Sequence, residues 1–367
     1  MNYYDKELFV IEKSNRFRER KIYNDSLKDL ASNDYLGLAT KKKQFKKAYK
    51  RVLQEQYNSP KASMLVNGYS NIHQKFEKKL CKVNKFEDGI IVGSGFLANI
   101  SMIESMVRKK DILFIDEDYH ASGILATKLT QGEVVTFKHN DFNDLELKIQ
   151  EISQKERIII AIEGIYSMGG DIAPKEFYTI ANKYKAILIV DEAHSSGVIG
   201  KNLLGWYDYF DLEPQSNHIK MGTLGKAYGS YGAYILASKN VITFLVNRAK
   251  PIIYSTAPSL FDTALGYENL KYLIKHKQSI VKKVKKHQAI IKKYLFNEME
   301  ALIVPIVVND NKKVISIQKE LIKDGYIVGA IRQPTVPKAI IRLIVKLDIS
   351  QKDITYVVKK IKGMIDE

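Results

Sequence analysis

The chain has 367 residues with 45% hydrophobic side chains and no apolar run near the ~20 residues of a membrane span, so it is expected to fold as a globular protein with one large and one smaller domain. Its single cysteine, Cys81, excludes an internal disulfide and indicates a reducing cytoplasm. The net charge of +17 would suit an anionic partner, but the excess comes mostly from scattered lysines, and no aromatic-interleaved basic motif supports nucleic-acid binding.

The first two predicted units are an N-terminal segment, 1–45, and a large domain, 46–238. Helical patterns in the large domain alternate with short apolar runs. These runs are 89–92, 111–115, 157–162 and 186–190. Because the runs are hydrophobic throughout and helix-length segments separate them, they predict an α/β fold with a mostly parallel central sheet flanked by helices.

A candidate motif follows each of these strands. Ligands of such sheets bind beyond the carboxyl ends of the strands, so the motifs are expected to meet in one pocket. Gly95 and Phe96 follow the first strand in a glycine-containing turn that could hold a phosphate at a helix N-terminus. His120 follows the second strand and Ser167 the third, where each could contact a cofactor ring. An ordinary polar loop or tight turn explains these two equally well.

The strongest pair of residues is Asp191 and Lys226. Asp191 directly follows the fourth apolar run, where a carboxylate is costly unless a cation meets it. Lys226 lies in a glycine-rich turn, with Thr223 near enough to hold a phosphate and His194 close to the aspartate in sequence. A lysine that forms a Schiff base and a carboxylate that keeps a pyridine nitrogen protonated are what pyridoxal 5′-phosphate (PLP) requires. The pair therefore predicts a PLP enzyme.

The last predicted unit, 239–367, begins with an interdomain helix that reaches about Leu295. A small α+β domain follows it, with strands near 303–308 and 340–345.

Together with Asn33 and its neighbours in 32–38, these motifs resemble the α-oxoamine synthases. These are fold-type-I PLP transferases that condense an amino acid with an acyl thioester and release CO2. Segments 67–74 and 330–337 most resemble the members that join L-alanine to a pimeloyl thioester in biotin biosynthesis. The resemblance implies that the acyl carrier is coenzyme A or an acyl carrier protein, with no nucleic acid or membrane as partner and no metal.

The resemblance also implies a role for each candidate residue. Lys226 would hold the cofactor and act as base, Asp191 would pair with the ring nitrogen, and His120 would stack on the ring. Five further residues would contact the cofactor: Gly95, Phe96, Ser167, His194 and Thr223. Thr256 would reach the phosphate from the partner subunit of a homodimer. Four residues would meet the substrate: Arg20, Asn33, Thr335 and Arg342.

Three alternatives stay open at this point. Another α-oxoamine synthase would use glycine or serine with a different acyl thioester. A PLP aldolase or aminotransferase would share the lysine and the aspartate, but not the loops around His120 and Ser167. A basic binding protein without enzymatic activity would be colourless and would show salt-sensitive affinity for nucleic acid.

Overall fold

The computed structural model describes residues 3–14, 16–152, 157–295 and 299–366, which form two β-sheets with surrounding helices. The strands are β1 (Lys28–Leu30), β2 (Asp88–Val92), β3 (Ile112–Asp116), β4 (Glu133–Phe137), β5 (Ile158–Glu163), β6 (Ile187–Asp191), β7 (His218–Thr223), β8 (Ala233–Ala237), β9 (Ile303–Val307), β10 (Tyr326–Ile331) and β11 (Ile340–Ile344). The helices are α1 (Asp5–Lys13), α2 (Lys42–Val52), α3 (Asn71–Asn84), α4 (Gly95–Met106), α5 (Ala121–Thr127), α6 (Phe142–Glu151), α7 (Glu176–Lys183), α8 (Trp206–Tyr209), α9 (Lys239–Arg248), α10 (Lys250–Ile253), α11 (Leu260–Leu295), α12 (Asn311–Lys323) and α13 (Gln351–Asp366).

The larger sheet has seven strands in the order β2-β8-β7-β6-β5-β3-β4. Only β8 runs antiparallel to its neighbours, so the mostly parallel sheet predicted from the sequence is confirmed. The carboxyl ends of β2, β3, β5, β6 and β7 consequently lie along one edge. β8 begins at the same edge, because Ala233 pairs with both Val92 and Thr223.

The central strands form where the sequence is apolar without interruption. Alternate residues of β5 face different cores: Ile160 and Ile162 pack in one, Ile159 and Ala161 in the other. All four are fully buried, as a strand covered by helices on both faces requires. Each buried isoleucine contributes roughly 1.5–3 kcal/mol relative to an exposed one. The sheet is therefore a rigid support for the loops at its edge.

A buried ion pair joins Glu192, the residue after β6, to Lys220 on β7. Nζ of Lys220 is 3.1 Å from Oε1 of Glu192, and both side chains are buried. Oε2 of Glu192 accepts hydrogen bonds from the backbone N–H of Trp206 at 2.6 Å and from the hydroxyl of Ser195 at 2.7 Å. Gly205 has φ +96°, and a Cβ on it would lie 1.6 Å from Oε2 of Glu192, so glycine is required there.

The smaller sheet joins distant parts of the chain in the order β1-β10-β11-β9. β1 is parallel to β10, with Lys28 opposite Tyr326. Just after β1, the carbonyl of Tyr35 accepts a hydrogen bond from the N–H of Leu347 at 2.9 Å. The strands predicted near 303–308 and 340–345 are confirmed as β9 and β11.

The helical region before this sheet differs in one respect from the prediction. The helix that ends at Leu295 begins only at Leu260, and two shorter helices, α9 and α10, precede it. Ala249, with ψ 109°, separates α9 from α10, because its backbone is extended. In the ranges that the structure describes, no helix combines the length and apolar character needed to cross a membrane.

Candidate active site

The candidate site lies at the carboxyl edge of the larger sheet. β5 ends at Glu163, β6 at Asp191 and β7 at Thr223, and Glu163 and Asp191 are paired in register. Lys226 follows β7 by three residues. The structure therefore brings together motifs that lie far apart in the sequence, because parallel strands end at a common edge.

Asp191 is buried, with 4% of its surface exposed. Its Oδ2 accepts a hydrogen bond from Nδ2 of Asn99 at 2.9 Å, and its Oδ1 accepts one from the backbone N–H of Ala193 at 2.9 Å. Both donors are neutral amides, so they orient the carboxylate without neutralising it. A carboxylate held in this way keeps the capacity to pair with a cation.

Asn99 connects Asp191 to His120. Its Nδ2 also donates to Oγ of Ser122 at 2.9 Å, its Oδ1 accepts from the hydroxyl of Tyr119 at 2.9 Å, and Oγ of Ser122 lies 2.7 Å from Nδ1 of His120. Burial lowers the pKa of His120, against the attraction of Asp191. Sequence reasoning missed Asn99, Ser122 and Tyr119, although an asparagine in the apolar α4 was a usable indication.

Lys226 is hydrogen-bonded within a buried polar chain. Its Nζ lies 2.7 Å from Nε2 of His194, and Nδ1 of His194 lies 2.5 Å from the hydroxyl of Tyr35. Burial lowers the pKa of Lys226 to about 8, against the attraction of Asp191. Burial and the positive charges of Lys226 and Arg342 hold the pKa of His194 well below its usual range, so the imidazole is neutral. An amine with this pKa is partly deprotonated near neutral pH, as a nucleophile or base must be.

Arg342 brings three predicted residues together. It is buried on β11, where its Nε donates to the carbonyl oxygen of Ser167 at 2.8 Å and its Nη2 donates to Oδ1 of Asn33 at 3.1 Å. The hydroxyl of Tyr35 lies 3.3 Å from the same Oδ1. Two nitrogens of the guanidinium are thus held by protein oxygens, and Arg342 lies near enough to Lys226 to lower its pKa. A guanidinium fixed in this way suits a carboxylate.

The first turn of α4 lies against Thr223. The first helical hydrogen bond runs from the N–H of Ala98 to the carbonyl of Ser94, so the N–H groups of Gly95 and Phe96 precede it. A Cβ on Gly95 would lie 3.8 Å from Cβ of Thr223. Backbone N–H groups at a helix N-terminus, with a hydroxyl beside them, suit an anionic group such as a phosphate.

Thr256 lies in the loop between α10 and α11. The N–H of the next residue, Ala257, donates to the carbonyl of Ala62 at 3.0 Å, which joins this loop to the segment before α3. Large apolar side chains on both pieces are exposed, with Tyr254 at 80% and Val66 at 77%. Exposed apolar side chains that lie together are typical of a protein interface.

Thr335 lines a separate cavity of about 450 Å³. The cavity is also lined by three arginines, Arg16, Arg18 and Arg332. Arg20 is exposed, two residues beyond Arg18. Three guanidinium groups around one cavity favour an anionic occupant.

A charged histidine, His139, holds the turn that carries Ser167 by hydrogen bonds. Nδ1 of His139 lies 3.0 Å from Oδ1 of Asp116, and its Nε2 lies 2.8 Å from Oδ2 of Asp171. Burial alone would lower the pKa of His139, but the hydrogen bonds to Asp116 and Asp171 raise it to about 10. The imidazolium thus links the end of β3 to the turn that positions Arg342. Sequence reasoning did not identify His139, because its partners come from the end of β3 and from the turn after β5.

The described residues fit the PLP that the sequence predicts. Asp191 offers a buried carboxylate for a ring nitrogen, and Lys226 offers an amine with a lowered pKa for an aldehyde. Oε1 of Glu163 is buried and has no hydrogen-bond partner in the described part of the chain. Burial and the neighbouring Asp191 raise the pKa of Glu163 well above its usual range. An unpartnered polar atom at this position fits a site completed by a polar ligand.

Comparison with known proteins gives the following similarities. The family model described as aminotransferase class I and II matches residues 26–361. An 8-amino-7-oxononanoate synthase of Helicobacter pylori strain J99 is 43% identical over 351 residues, covering 95% of this chain and 94% of the relative. A crystal structure of 8-amino-7-oxononanoate synthase from Francisella tularensis has a TM-score of 0.79 at 25% identity and covers 94% of this chain and 99% of that one. A Sphingomonas wittichii serine palmitoyltransferase has a TM-score of 0.88 at 21% identity, covering 99% and 97% of the two chains.

Proposed function

Because the chain belongs to the class I and II aminotransferase family, and within it to the α-oxoamine synthases, we propose that it condenses L-alanine with a pimeloyl thioester to give 8-amino-7-oxononanoate, CO2 and a free thiol. Family membership confirms the fold, the enzymatic nature and the PLP cofactor predicted from the sequence. The observation that carries the proposal is the 43% identity over 95% of the chain to a synthase of that name. The likeness to serine palmitoyltransferase, at 21% identity, bears on the fold alone.

When bound, the cofactor supplies an electron sink for negative charge on Cα of the amino acid. Asp191 would keep the ring nitrogen protonated, because an uncompensated buried carboxylate favours a cation beside it. Asn99 and the N–H of Ala193 hold both oxygens of that carboxylate in place. His120, joined to the same network through Ser122, would contact the ring.

Lys226 is the proposed base. With a pKa of about 8, part of its amine is neutral near pH 7 and can take the Cα proton of L-alanine. Cα then bonds to the thioester carbonyl carbon, the C–S bond breaks, and the thiolate that leaves takes up a proton from solvent. The amino-acid carboxylate departs as CO2, and the proton held by Lys226 returns to Cα.

Arg342 and Asn33 are proposed to bind the carboxylate of the amino acid. Arg342 is held by Ser167 and Asn33 before substrate arrives, so little side-chain entropy is lost when it binds. This side chain lies close enough to Lys226 to lower its pKa. The carboxylate would therefore be fixed beside the base.

The arginine-lined cavity is proposed to hold the distal carboxylate of the pimeloyl chain. Pimelate is a dicarboxylic acid, so its thioester keeps one free carboxylate, and Arg16, Arg18 and Arg332 supply positive charge. Thr335 lines the same cavity and would contact the chain. The acyl carrier is coenzyme A or an acyl carrier protein, and the net charge of +17 suits either.

The protein is proposed to act as a homodimer in the cytoplasm. The exposed apolar side chains near Thr256, Tyr254 and Val66 among them, would be covered by a second copy, and Thr256 would then reach the partner's phosphate site. Sedimentation at micromolar concentration should give a dimer mass. A monomer that retains full activity would contradict the shared site.

Turnover tests the proposed substrates. Thiol release is measured with L-alanine, glycine and L-serine, each against pimeloyl, acetyl and succinyl thioesters. L-Alanine with the pimeloyl thioester should give the highest kcat/KM. If glycine or serine outcompetes L-alanine, the substrate assignment is wrong and another α-oxoamine synthase activity replaces it.

A spectrum tests the role of Lys226 independently of turnover. Lys226→Ala should lose the visible absorbance that PLP acquires when it is covalently attached to a lysine. Asn247→Ala, an exposed helix position on α9, is the matched control and should keep it. A visible band that survives in Lys226→Ala would show that another residue holds the cofactor.

A further inference from the structure

Tyr35 is a buried tyrosine that the mechanism above does not use. Its side chain is 0% exposed, and burial raises the pKa of its hydroxyl, which therefore stays protonated. The hydroxyl lies 2.5 Å from Nδ1 of His194 and 3.3 Å from Oδ1 of Asn33. A protonated hydroxyl can both donate and accept, which neither a phenylalanine nor a carbonyl could do at this position.

The neutral imidazole of His194 has two hydrogen-bonded neighbours but only one proton. When Lys226 is an ammonium it can only donate, so Nε2 must accept and Nδ1 must carry the proton, which it donates to Tyr35. When Lys226 is a neutral amine, Nε2 can carry the proton and donate to Nζ, while Nδ1 accepts from Tyr35. The imidazole holds one proton in both states, and the single proton lost by Lys226 goes to solvent.

Resting on the proposed function, we propose that Tyr35 is a positioning residue whose hydroxyl reverses its hydrogen bond so that the tautomer of His194 follows the charge of Lys226. In the ammonium state the hydroxyl accepts from Nδ1 and turns its own proton toward Asn33. In the amine state it donates to Nδ1. The base can therefore change its charge without leaving a buried nitrogen unpaired, which would cost free energy in either state.

The same hydrogen bonds extend to the proposed carboxylate site. Oδ1 of Asn33 accepts from Arg342 at 3.1 Å as well as facing the hydroxyl of Tyr35. Lys226 is thus connected to Arg342 through His194 and Tyr35, both directly and by way of Asn33. The charged or titratable groups that face Lys226 are Asp191 at the end of β6, Glu163 at the end of β5, Arg342 on β11, and His120 and His194 in the loops.

Tyr35→Phe tests this role, because it removes one oxygen and keeps the ring. The measurement is the rate at which apoprotein captures PLP, followed by visible absorbance, from pH 6 to pH 10. Capture requires a neutral Lys226, so the rate should rise with pH around the pKa of this amine, about 8. Cutting a polarised hydrogen-bond chain removes more stabilisation from the ammonium form of Lys226 than from its neutral amine. The pH midpoint of PLP capture in Tyr35→Phe should therefore fall by about 0.5–1 pH unit.

Tyr207→Phe is the matched control. Tyr207 is also a buried tyrosine, and its ring makes edge contacts with Phe86 and Trp206 rather than with His194, so the midpoint of Tyr207→Phe should equal that of the wild type. A wild-type midpoint in Tyr35→Phe would overturn the role of Tyr35 and leave the proposed function intact. Wild-type apoprotein that captures no PLP would instead overturn the proposed function.

A measurement on the wild type covers the case in which Tyr35→Phe does not fold. Nitrogen-15 NMR of labelled histidine side chains distinguishes Nδ1–H from Nε2–H, and His194→Gln assigns the signal. The apoprotein should show Nδ1–H at His194 well below the pKa of Lys226 and Nε2–H well above it. One tautomer at every pH would overturn the proposal.

Discussion

His139 lies between Asp116 and Asp171, and its positive charge is expected to stabilise the fold at the turn that carries Ser167. The perturbation is His139→Gln, which keeps a side chain able to form hydrogen bonds but removes the positive charge between Asp116 and Asp171. The pKa of His139 is raised from 6.5 to about 10 in the folded protein. A group whose pKa rises on folding contributes stability that is fully present below its unfolded pKa and is lost as pH rises through its folded pKa.

The magnitude follows from these two pKa values. At 1.36 kcal/mol per pH unit, a rise from 6.5 to about 10 sets an upper limit of about 5 kcal/mol. The imidazole is 27% exposed, and solvent screening reduces this to about 2–3 kcal/mol. Wild type should therefore exceed His139→Gln in unfolding free energy by this amount at pH 6, and the difference should vanish near pH 10.

Urea unfolding of the PLP-saturated protein measures the difference. Trp206, the single tryptophan, is fully buried, so its fluorescence reports unfolding of the larger sheet. His276→Gln replaces an exposed histidine on α11 and serves as control. An equal difference between wild type and His139→Gln at pH 6 and pH 10 would refute the reasoning, because the charge of His139 would then contribute nothing.

Two further predictions concern buried charge and the acyl site. Lys220→Met should lower the unfolding free energy by about 3–5 kcal/mol, because it leaves Glu192 charged, buried and without its cation. Adding Glu192→Gln to this variant should recover part of the loss. A change under about 1 kcal/mol for Lys220→Met in urea unfolding would contradict this prediction. Arg18→Gln should reduce the preference for a pimeloyl over a heptanoyl thioester about 10-fold in kcat/KM, since heptanoate has the same length but no distal carboxylate. The same ratio in Arg20→Gln decides whether Arg20 shares that role, and an unchanged ratio in Arg18→Gln would place the carboxylate elsewhere.

Four strands of the larger sheet were predictable because they are largely apolar, although β8, which is also apolar, was not identified. The predicted runs at 111–115, 157–162 and 186–190 correspond to β3, β5 and β6. β7 was not identified, because it carries Lys220 into the core, and the partner that makes this possible, Glu192, lies in another segment. β4 was missed for a different reason. It is an edge strand with exposed residues along most of its length, so its hydrophobic pattern is weak.

The candidate site was predictable to the extent that its chemistry is carried by single motifs. Asp191 and Lys226 stand out because a carboxylate after an apolar strand and a lysine in a glycine-rich turn are unusual in themselves. Asn99 and Tyr35 were missed because each is an ordinary residue until its partner is known, Asp191 for one and His194 for the other. Such partners depend on which strands are neighbours, and local periodicity carries no information on that.

The pairing of β1 with β10 has a consequence for how the protein is made. Lys28 pairs with Tyr326, so the smaller sheet cannot close until nearly the whole chain has left the ribosome. The seven-stranded sheet uses only residues 88–237 and can form earlier. Asn33 and Tyr35 are synthesised before that sheet, but their partner Arg342 on β11 is synthesised after it. The residues proposed to hold PLP could then assemble before the proposed carboxylate site of Asn33 and Arg342, which takes shape only at the end of synthesis.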